Sequence, residues 1–431
     1  MTVDPASPDP GAIAEAAREL AAGRPVAFPT ETVYGLGADA GDPAAVELIF
    51  AAKGRPADDP VIVHVLGLDD LREVSPLAPA IALELADRFW PGPLTLVVPR
   101  GPSVPPVVTA GLDSVAVRAP AHPVARELLR QLGRPIAAPS ANPFGMTSPT
   151  TAQHVVDGLG DRIGLVLDGG QTYVGVESTV VDCRGEVPVV LRPGGVTLEQ
   201  LAPWGAVQAP GETGADVALP RRSPGQMQRH YAPRAIVVVL TSDGRRQVPP
   251  EEQGAPIRAA ASGAPGGRVV ARALALAAAA LAEQGNVVGI LCADEDGADL
   301  ELLLGERAKA PGPGDAGAPS RATVRVRPIG PLDRPEIIAR QLFATMHELD
   351  AAGVDVILAR SFGRRGLALA VDDRLARAAE GRIVTVGTGA EPSALSADAP
   401  LDAGTEAAAE GAAAAVIGLV GEATRGRSGR P

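Results

Sequence analysis

The chain has 431 residues, of which 46% are hydrophobic but only 3% aromatic, and a formal charge of −12. Such a length exceeds what one hydrophobic core usually organises and points to two domains with tails. The scarcity of rings favours α/β layers built from Ala, Val, Leu and Ile over an aromatic-rich sandwich. The acidic balance excludes a protein that coats nucleic acid by charge alone, and two cysteines, Cys183 and Cys292, are too few for a disulfide framework or a four-thiolate metal site.

The N-terminus lacks a basic region followed by an apolar one, and no run of about 18 uninterrupted apolar residues occurs. The expectation is an unprocessed, cytoplasmic protein with no membrane segment. In chain order, a helix is expected at GAIAEAARELAA (11–22), stopped by Gly23, then a short strand PVAFP and a Thr-rich turn. A helix through AAVELIFAAKG and a strand PVIVHVLG follow; then come a helix PAIALELADRFW, a Pro-Gly-Pro turn at 91–93 and a strand LTLVVPR. Further strands are read at SVAVRAP, PIAAPS, IGLVLDGG, STVVDC and VPVVLRPG, with helices at HPVARELLRQLG and TTAQHVVDGLG. Strands alternating with helices indicate an α/β sheet.

Residues 1–202 therefore read as one domain and 203–234, rich in Pro, Gly and Arg, as a linker. A second β-α-β series over 235–382 suits a smaller Rossmann-like α/β domain. Residues 306–322 look like a flexible insertion, and 383–431, dominated by Ala, Gly, Glu and Ser, look poorly ordered.

The stretch Pro29-Thr30-Glu31-Thr32-Val33-Tyr34-Gly35-Leu36-Gly37 sits directly after a strand, where a sheet presents polar groups to a ligand. Lys53-Gly54-Arg55-Pro56 ends a helix and offers two cations to a polyanion, the lysine as a point charge and the arginine as a planar fork. Lysine occurs only at 53 and 309. A lysine inside a motif is thus unlike the arginine background of the rest of the chain.

Ser140-Ala141-Asn142 and the helix-capping Ser148-Pro149-Thr150-Thr151 suit a phosphate or carboxylate, and Arg118 and Arg192 close two strands. His64, in an apolar strand, has no second histidine at metal spacing. No P-loop and no nucleophile elbow is present, which disfavours a P-loop phosphotransferase or an α/β-hydrolase.

In this order PTETVYGLG, KGRP, SAN, SPTT, EST and LRPG resemble the motif set of the threonylcarbamoyl-AMP synthases, the YrdC-like family, and SPGQMQRHYAP resembles the linker of its longer, two-domain form. The resemblance implies a twisted mixed sheet with helices for the N-terminal domain. It also implies a reaction in which L-threonine, bicarbonate or CO2, and ATP give threonylcarbamoyl-AMP and pyrophosphate, the product serving a separate transferase complex that modifies tRNA.

Carried over position by position, the resemblance assigns Thr32, His64, Arg118, Ala138 (through its backbone) and Ser178 to threonine. Lys53, Arg55, Asp59, Ser114, Ser140, Asn142, Ser148 and Arg192 go to ATP, with Lys53 and Arg55 as the catalytic cations. Mg2+ accompanies the triphosphate, no protein ligand for it being assigned, and His230 and Tyr231 form a lid. One departure stands out: where the family commonly has an asparagine before the proline, this chain has Asp58-Asp59-Pro60, and an added carboxylate near a triphosphate is expected to weaken ATP binding or raise the magnesium requirement. The rival readings are a protein of the same fold that recognises RNA, against which the acidic charge weighs, and a carbamoyl-transfer protein acting on another acceptor.

Overall fold

The computed structural model describes residues 1–208, 231–242, 265–307, 323–387 and 403–428. The chain separates into two compact units, Met1–His230 with Arg364–Ala370 and Tyr231–Gly363 with Val371–Pro431.

The N-terminal unit runs α1 (Pro10–Ala21), β1 (Val26–Phe28), β2 (Gly35–Asp39), α2 (Pro43–Lys53), β3 (Ile62–His64), α3 (Leu68–Val74), α4 (Ala80–Phe89) and β4 (Leu94–Pro99). It continues through β5 (Ser114–Arg118), α5 (Pro123–Leu132), β6 (Ile136–Ala137), α6 (Ala152–Leu159), β7 (Leu165–Val166), β8 (Thr179–Asp182), β9 (Val189–Arg192), α7 (Leu198–Leu201) and β10 (Val207–Gln208). Its strands form one mixed sheet in the order β10-β9-β8-β4-β5-β3-β6-β2-β1-β7. The start of the expected linker belongs to this sheet, since β10 pairs in parallel with β9, Val207 opposite Val189. Residues 209–230 lie outside the described residues.

Alternation along the central strands divides this sheet into two faces. Val63 and Val65, Val115 and Val117, Leu94, Leu96 and Val98, and Val181 and Cys183 all enter one apolar core with Val46, Ile49 and Phe50 of α2, Leu85 of α4 and Val155 of α6. Their neighbours one residue away point to the opposite face. Part of that face is covered by α1 and α5, whose Ile13, Leu20, Leu128 and Leu129 pack with Val26, Phe28, Ile136 and Ala138. Beyond this cover, over β3, β5, β4 and β8, the same face carries a small apolar floor of Ile62, Val97, Ala116 and Val180, edged by polar residues.

The C-terminal unit contains β11 (Ile236–Ser242), α8 (Pro265–Glu283), β12 (Val288–Cys292), α9 (Asp294–Arg307), β13 (Val324–Pro328), α10 (Pro335–Ala351), β14 (Val356–Arg360), α11 (Gly366–Ala378) from Val371 on, β15 (Ile383–Val386) and α12 (Ala403–Ser428). Its sheet has the order β13-β12-β14-β11-β15, every pair parallel.

The expectation of a poorly ordered tail from 383 onward is corrected: β15 extends the sheet, and α12 buries Ala409, Ala412, Ala413, Val416 and Val420 in one core cluster with Val270, Leu274, Ala277 and Leu281 of α8. Two alanine-rich helices approach closely because neither carries bulk at the contact, and their helix propensity is high. By length and composition α12 is long and apolar enough to cross a membrane, yet its apolar positions contribute to this core. The expected insertion at 306–322 falls for its greater part, 308–322, outside the described residues.

Candidate active site

Backbone hydrogen bonds bring the sequence motifs together. The Tyr34 N–H donates to the Pro149 carbonyl at 2.9 Å, the Ala141 N–H to the Tyr34 carbonyl at 2.8 Å, and the Leu36 N–H to the Pro139 carbonyl at 2.9 Å. These bonds join PTETVYGLG to SAN and SPTT. The Phe144 N–H donates to the Lys53 carbonyl at 2.8 Å, which adds KGRP, and the Gly195 N–H to the Glu177 carbonyl at 3.2 Å, which ties LRPG to EST.

Lys53 closes α2, and Gly54 follows it in the left-handed conformation (φ 64°) that ends the helix and turns the chain towards Arg55. The Lys53 side chain is buried, and its Nζ donates to the Ser140 carbonyl at 2.5 Å and to the Asn142 carbonyl. Burial, then the neighbouring Arg55 charge, push its pKa well below the usual lysine range, with Asp59 opposing. A lysine whose charge is disfavoured by burial is stabilised in its charged form by an arriving anion, so this setting favours one.

Arg55 is buried as well, donating to the Asp59 and Pro60 carbonyls at 3.1 and 2.8 Å and pairing with Asp59 Oδ2 at 3.0 Å. Asn142 donates through Nδ2 to the carbonyls of Pro143 (2.9 Å) and Met146 (2.8 Å), while its buried Oδ1 has no hydrogen bond. Ser148 Oγ donates to Glu177 Oε1 at 2.5 Å. Arg192 donates to the Ser178 carbonyl from Nε (3.2 Å) and Nη2 (3.0 Å), and Ser178 Oγ lies 2.7 Å from Thr95 Oγ1.

Strand register places His64 directly opposite Arg118. Arg118 Nη1 donates to Thr32 Oγ1 at 2.9 Å, and its Nη2 lies 2.6 Å from Glu31 Oε1. Burial and the Arg118 charge push the His64 pKa down to about 3, so the ring is neutral. Its Nδ1 is buried with no hydrogen bond, and the ring meets Phe28 edge-on at 6.2 Å. Ala138 is buried, its N–H donating to the Ile62 carbonyl at 2.9 Å and its Cβ facing Gly35. Buried polar atoms without hydrogen bonds are scarce in folded proteins. Those of Glu31, His64, Arg118 and Asn142 all belong to the segments brought together here.

Ser114 opens β5 on the same face as Arg118, two residues before Ala116, which pairs with Ile62 shortly after the Arg55–Asp59–Pro60 turn. One expected residue stands apart from this gathering. Tyr231, expected in a lid, is instead buried inside the C-terminal unit, its ring under the Arg374 guanidinium (5.1 Å) and against Phe343 (5.7 Å). Cation–π and ring packing fix it there. His230 lies outside the described residues.

Sequence reasoning also passed over Glu31, Glu177 and Thr95, all buried in the site, and Gly194, whose role is steric. A Cβ on Gly194 would overlap the Glu177 carbonyl oxygen and the Ser178–Thr179 peptide. Gly194→Ala is therefore expected to lower stability by about 2 kcal/mol through forced backbone displacement and to reduce turnover by shifting Ser178. Urea unfolding and steady-state rates would check this, and an alanine variant equal to wild type in both would show that the loop yields freely.

Two family models match the chain: residues 18–194 fit the one described as telomere recombination, and residues 196–380 the one described as threonylcarbamoyl-AMP synthase, C-terminal domain. Threonylcarbamoyl-AMP synthase of Pyrococcus abyssi is 42% identical over 366 residues, covering 84% of this chain and 93% of the relative. That of Bacillus subtilis is 38% identical over 383 residues, covering 86% and 94%. The crystal structure of P. abyssi Sua5 complexed with L-threonine matches with a TM-score of 0.73 at 40% identity, over 90% of this chain and 99% of that one. The buried cations, hydroxyls and carboxylates described above thus sit in an enzyme, and the chain belongs to the threonylcarbamoyl-AMP synthase family, in its two-domain form.

Proposed function

We propose that the protein joins L-threonine carbamate, formed with bicarbonate or CO2, to the α-phosphorus of ATP, releasing pyrophosphate. The observation that carries this reading is that hydrogen bonds among the motifs join two differently built anion sites within the N-terminal unit. At one, Arg118 with Thr32 and neutral His64 offers a planar fork to an α-carboxylate. At the other, Lys53, held by the carbonyls of Ser140 and Asn142, offers a point charge to a polyphosphate. L-threonine bound to the P. abyssi relative supports the first assignment.

In this mechanism a carbamate oxygen forms the new bond to the α-phosphorus, and the bond from that phosphorus to the bridging oxygen of pyrophosphate breaks. The chain contributes positioning and charge neutralisation. Arg118, Thr32, His64, the Ala138 backbone and Ser178 orient threonine. Lys53, Arg55, Ser140, Asn142, Ser148 and Arg192 hold the nucleotide, with Ser114 towards the far end of β5.

Among the described residues no group of three or more His, Cys, Asp or Glu side chains is arranged to hold a metal. In this reading magnesium enters with ATP, as the MgATP substrate. The product would pass to a separate tRNA-modifying transferase in the cytoplasm.

The test is pyrophosphate release from MgATP with and without L-threonine and bicarbonate. Release that needs both supports the synthase reading. Release without threonine would favour carbamoyl transfer to another acceptor. Absence of release, with tRNA retained on a filter at low salt, would favour the RNA-binding reading.

Asp59 modulates the nucleotide side. Its carboxylate is buried against Arg55 and offsets part of that guanidinium's charge. Asp59→Asn is expected to tighten MgATP binding about threefold to tenfold and to lower the magnesium concentration needed for half-maximal rate. Calorimetric titration over a magnesium series measures both, and no change in either would remove Asp59 from the account of ATP affinity.

A further inference from the structure

Glu31 is fully buried on the turn after β1, between two threonines of the site. Its Oε1 lies 2.6 Å from Arg118 Nη2, and its Oε2 accepts the Ala121 N–H at 3.1 Å. Neither Oε1 nor Nη2 completes an aligned hydrogen bond, so the two groups touch as charges and keep directional capacity in reserve. The turn is held from the other side by the Val174 N–H, which donates to the Glu31 carbonyl at 2.8 Å.

The charges around this pair can be counted. His64 is neutral, its pKa pushed down to about 3 by burial and Arg118. Burial also pushes the pKa of His122 down and that of Tyr173 up, so both face Glu31 in their uncharged forms near neutral pH. Among these described groups, the charged ones are one guanidinium and one carboxylate. A buried ion pair of this kind is expensive to form and is strongly upset by an uncompensated third charge. A ligand that brings only a carboxylate adds such a charge, whereas one that brings a carboxylate together with an ammonium does not.

We propose that Glu31 is a specificity-determining residue of the amino-acid subsite: its carboxylate balances Arg118 and selects the free amino acid, which enters with an ammonium beside its carboxylate before that nitrogen loses a proton and is carboxylated. The inference rests on the reading of Arg118 as the carboxylate anchor. Glu31 and Thr32 also engage the two arms of the guanidinium, Nη2 and Nη1, which orients the fork for the amino acid.

Calorimetric titration of the full chain with three ligands of one side chain tests this. L-threonine is a zwitterion, N-acetyl-L-threonine an anion and L-threoninamide a cation. Wild type is expected to bind threonine at least about tenfold more tightly than either derivative. Because acetylation adds bulk as well as removing charge, the decisive quantity is the change in the threonine to N-acetyl-threonine affinity ratio on substitution. Glu31→Gln, which keeps shape and can still accept the Ala121 N–H, is expected to reduce that ratio about tenfold. Glu31→Asp retains the charge and is expected to keep the ratio while weakening threonine binding. A ratio unchanged in Glu31→Gln, with threonine still bound, overturns the proposal. So does wild type binding the anion as tightly as threonine, a result that needs no variant to fold. Failure of wild type to bind threonine at all overturns instead the reading of the subsite on which the proposal stands.

Discussion

Lys53→Met is expected to lower threonine-dependent pyrophosphate release roughly a hundredfold, the scale associated with losing one preorganised charge aimed at a reacting phosphate. Methionine keeps the unbranched stem that runs through the buried end of α2 and removes only the ammonium. The loss should fall on the nucleotide side, with threonine affinity by calorimetry within about twofold of wild type, because the Arg118 site shares no hydrogen bond with Lys53. Stability should also drop by about 1–3 kcal/mol, since the Ser140 and Asn142 carbonyls lose their common donor. Lys53→Arg should not restore the rate, because a planar fork cannot occupy the compact position between two converging carbonyls. A Lys53→Met enzyme within threefold of wild type would show that Lys53 only fastens the SAN turn.

The second large effect concerns the Arg118–Glu31 pair. Arg118→Gln should abolish threonine binding, and with it threonine-dependent pyrophosphate release, and destabilise the N-terminal unit by about 3–5 kcal/mol, because it strands the Glu31 carboxylate in a buried site. In the double variant Glu31→Gln, Arg118→Gln, much of that stability should return, since no lone charge remains, while threonine binding stays lost. Urea denaturation of the four species, closed as a double-mutant cycle, gives the coupling directly. If the double variant is no more stable than Arg118→Gln alone, the loss arises from packing around the guanidinium and the electrostatic account is wrong.

Much of this site is legible in the sequence because its parts obey short-range rules. Ser114-Val115-Ala116-Val117-Arg118 alternates small or polar with apolar residues, and the structure sends Val115 and Val117 to the core and the others to the opposite face. Pro123 and Gly133 bracket α5 as helix signals should, and Gly54 ends α2 in the left-handed turn that frees Arg55. Glu31 was not legible. A carboxylate flanked by threonines has no local partner, and its meaning comes from a guanidinium that only the β3–β5 register delivers.

Helix α12 was misjudged for a different reason. A run of alanine and glycine buries little surface by itself and reads as solvent-loving. Its order comes from α8, an equally slender helix more than a hundred residues earlier in the chain. Tyr231 shows the reverse error: its place in a linker motif suggested mobility, whereas Phe343 and Arg374 fasten it into a core.

The division of β3, β4, β5 and β8 into a core face and a binding face has a consequence for how such a gene can change. Substitutions can alter one face and spare the other, because Ala116 or Val97 can vary without touching the packing of Val115 and Val117. A one-codon insertion or deletion within any of these strands has no such latitude. It would reverse every residue beyond it, driving Arg118 or His64 towards the oily interior and a valine into the binding face. Length variation among relatives should therefore collect in the connections between these strands, and in-frame single-codon indels inside them should be lost from any library selected for a folded chain alone, before activity is ever asked of it.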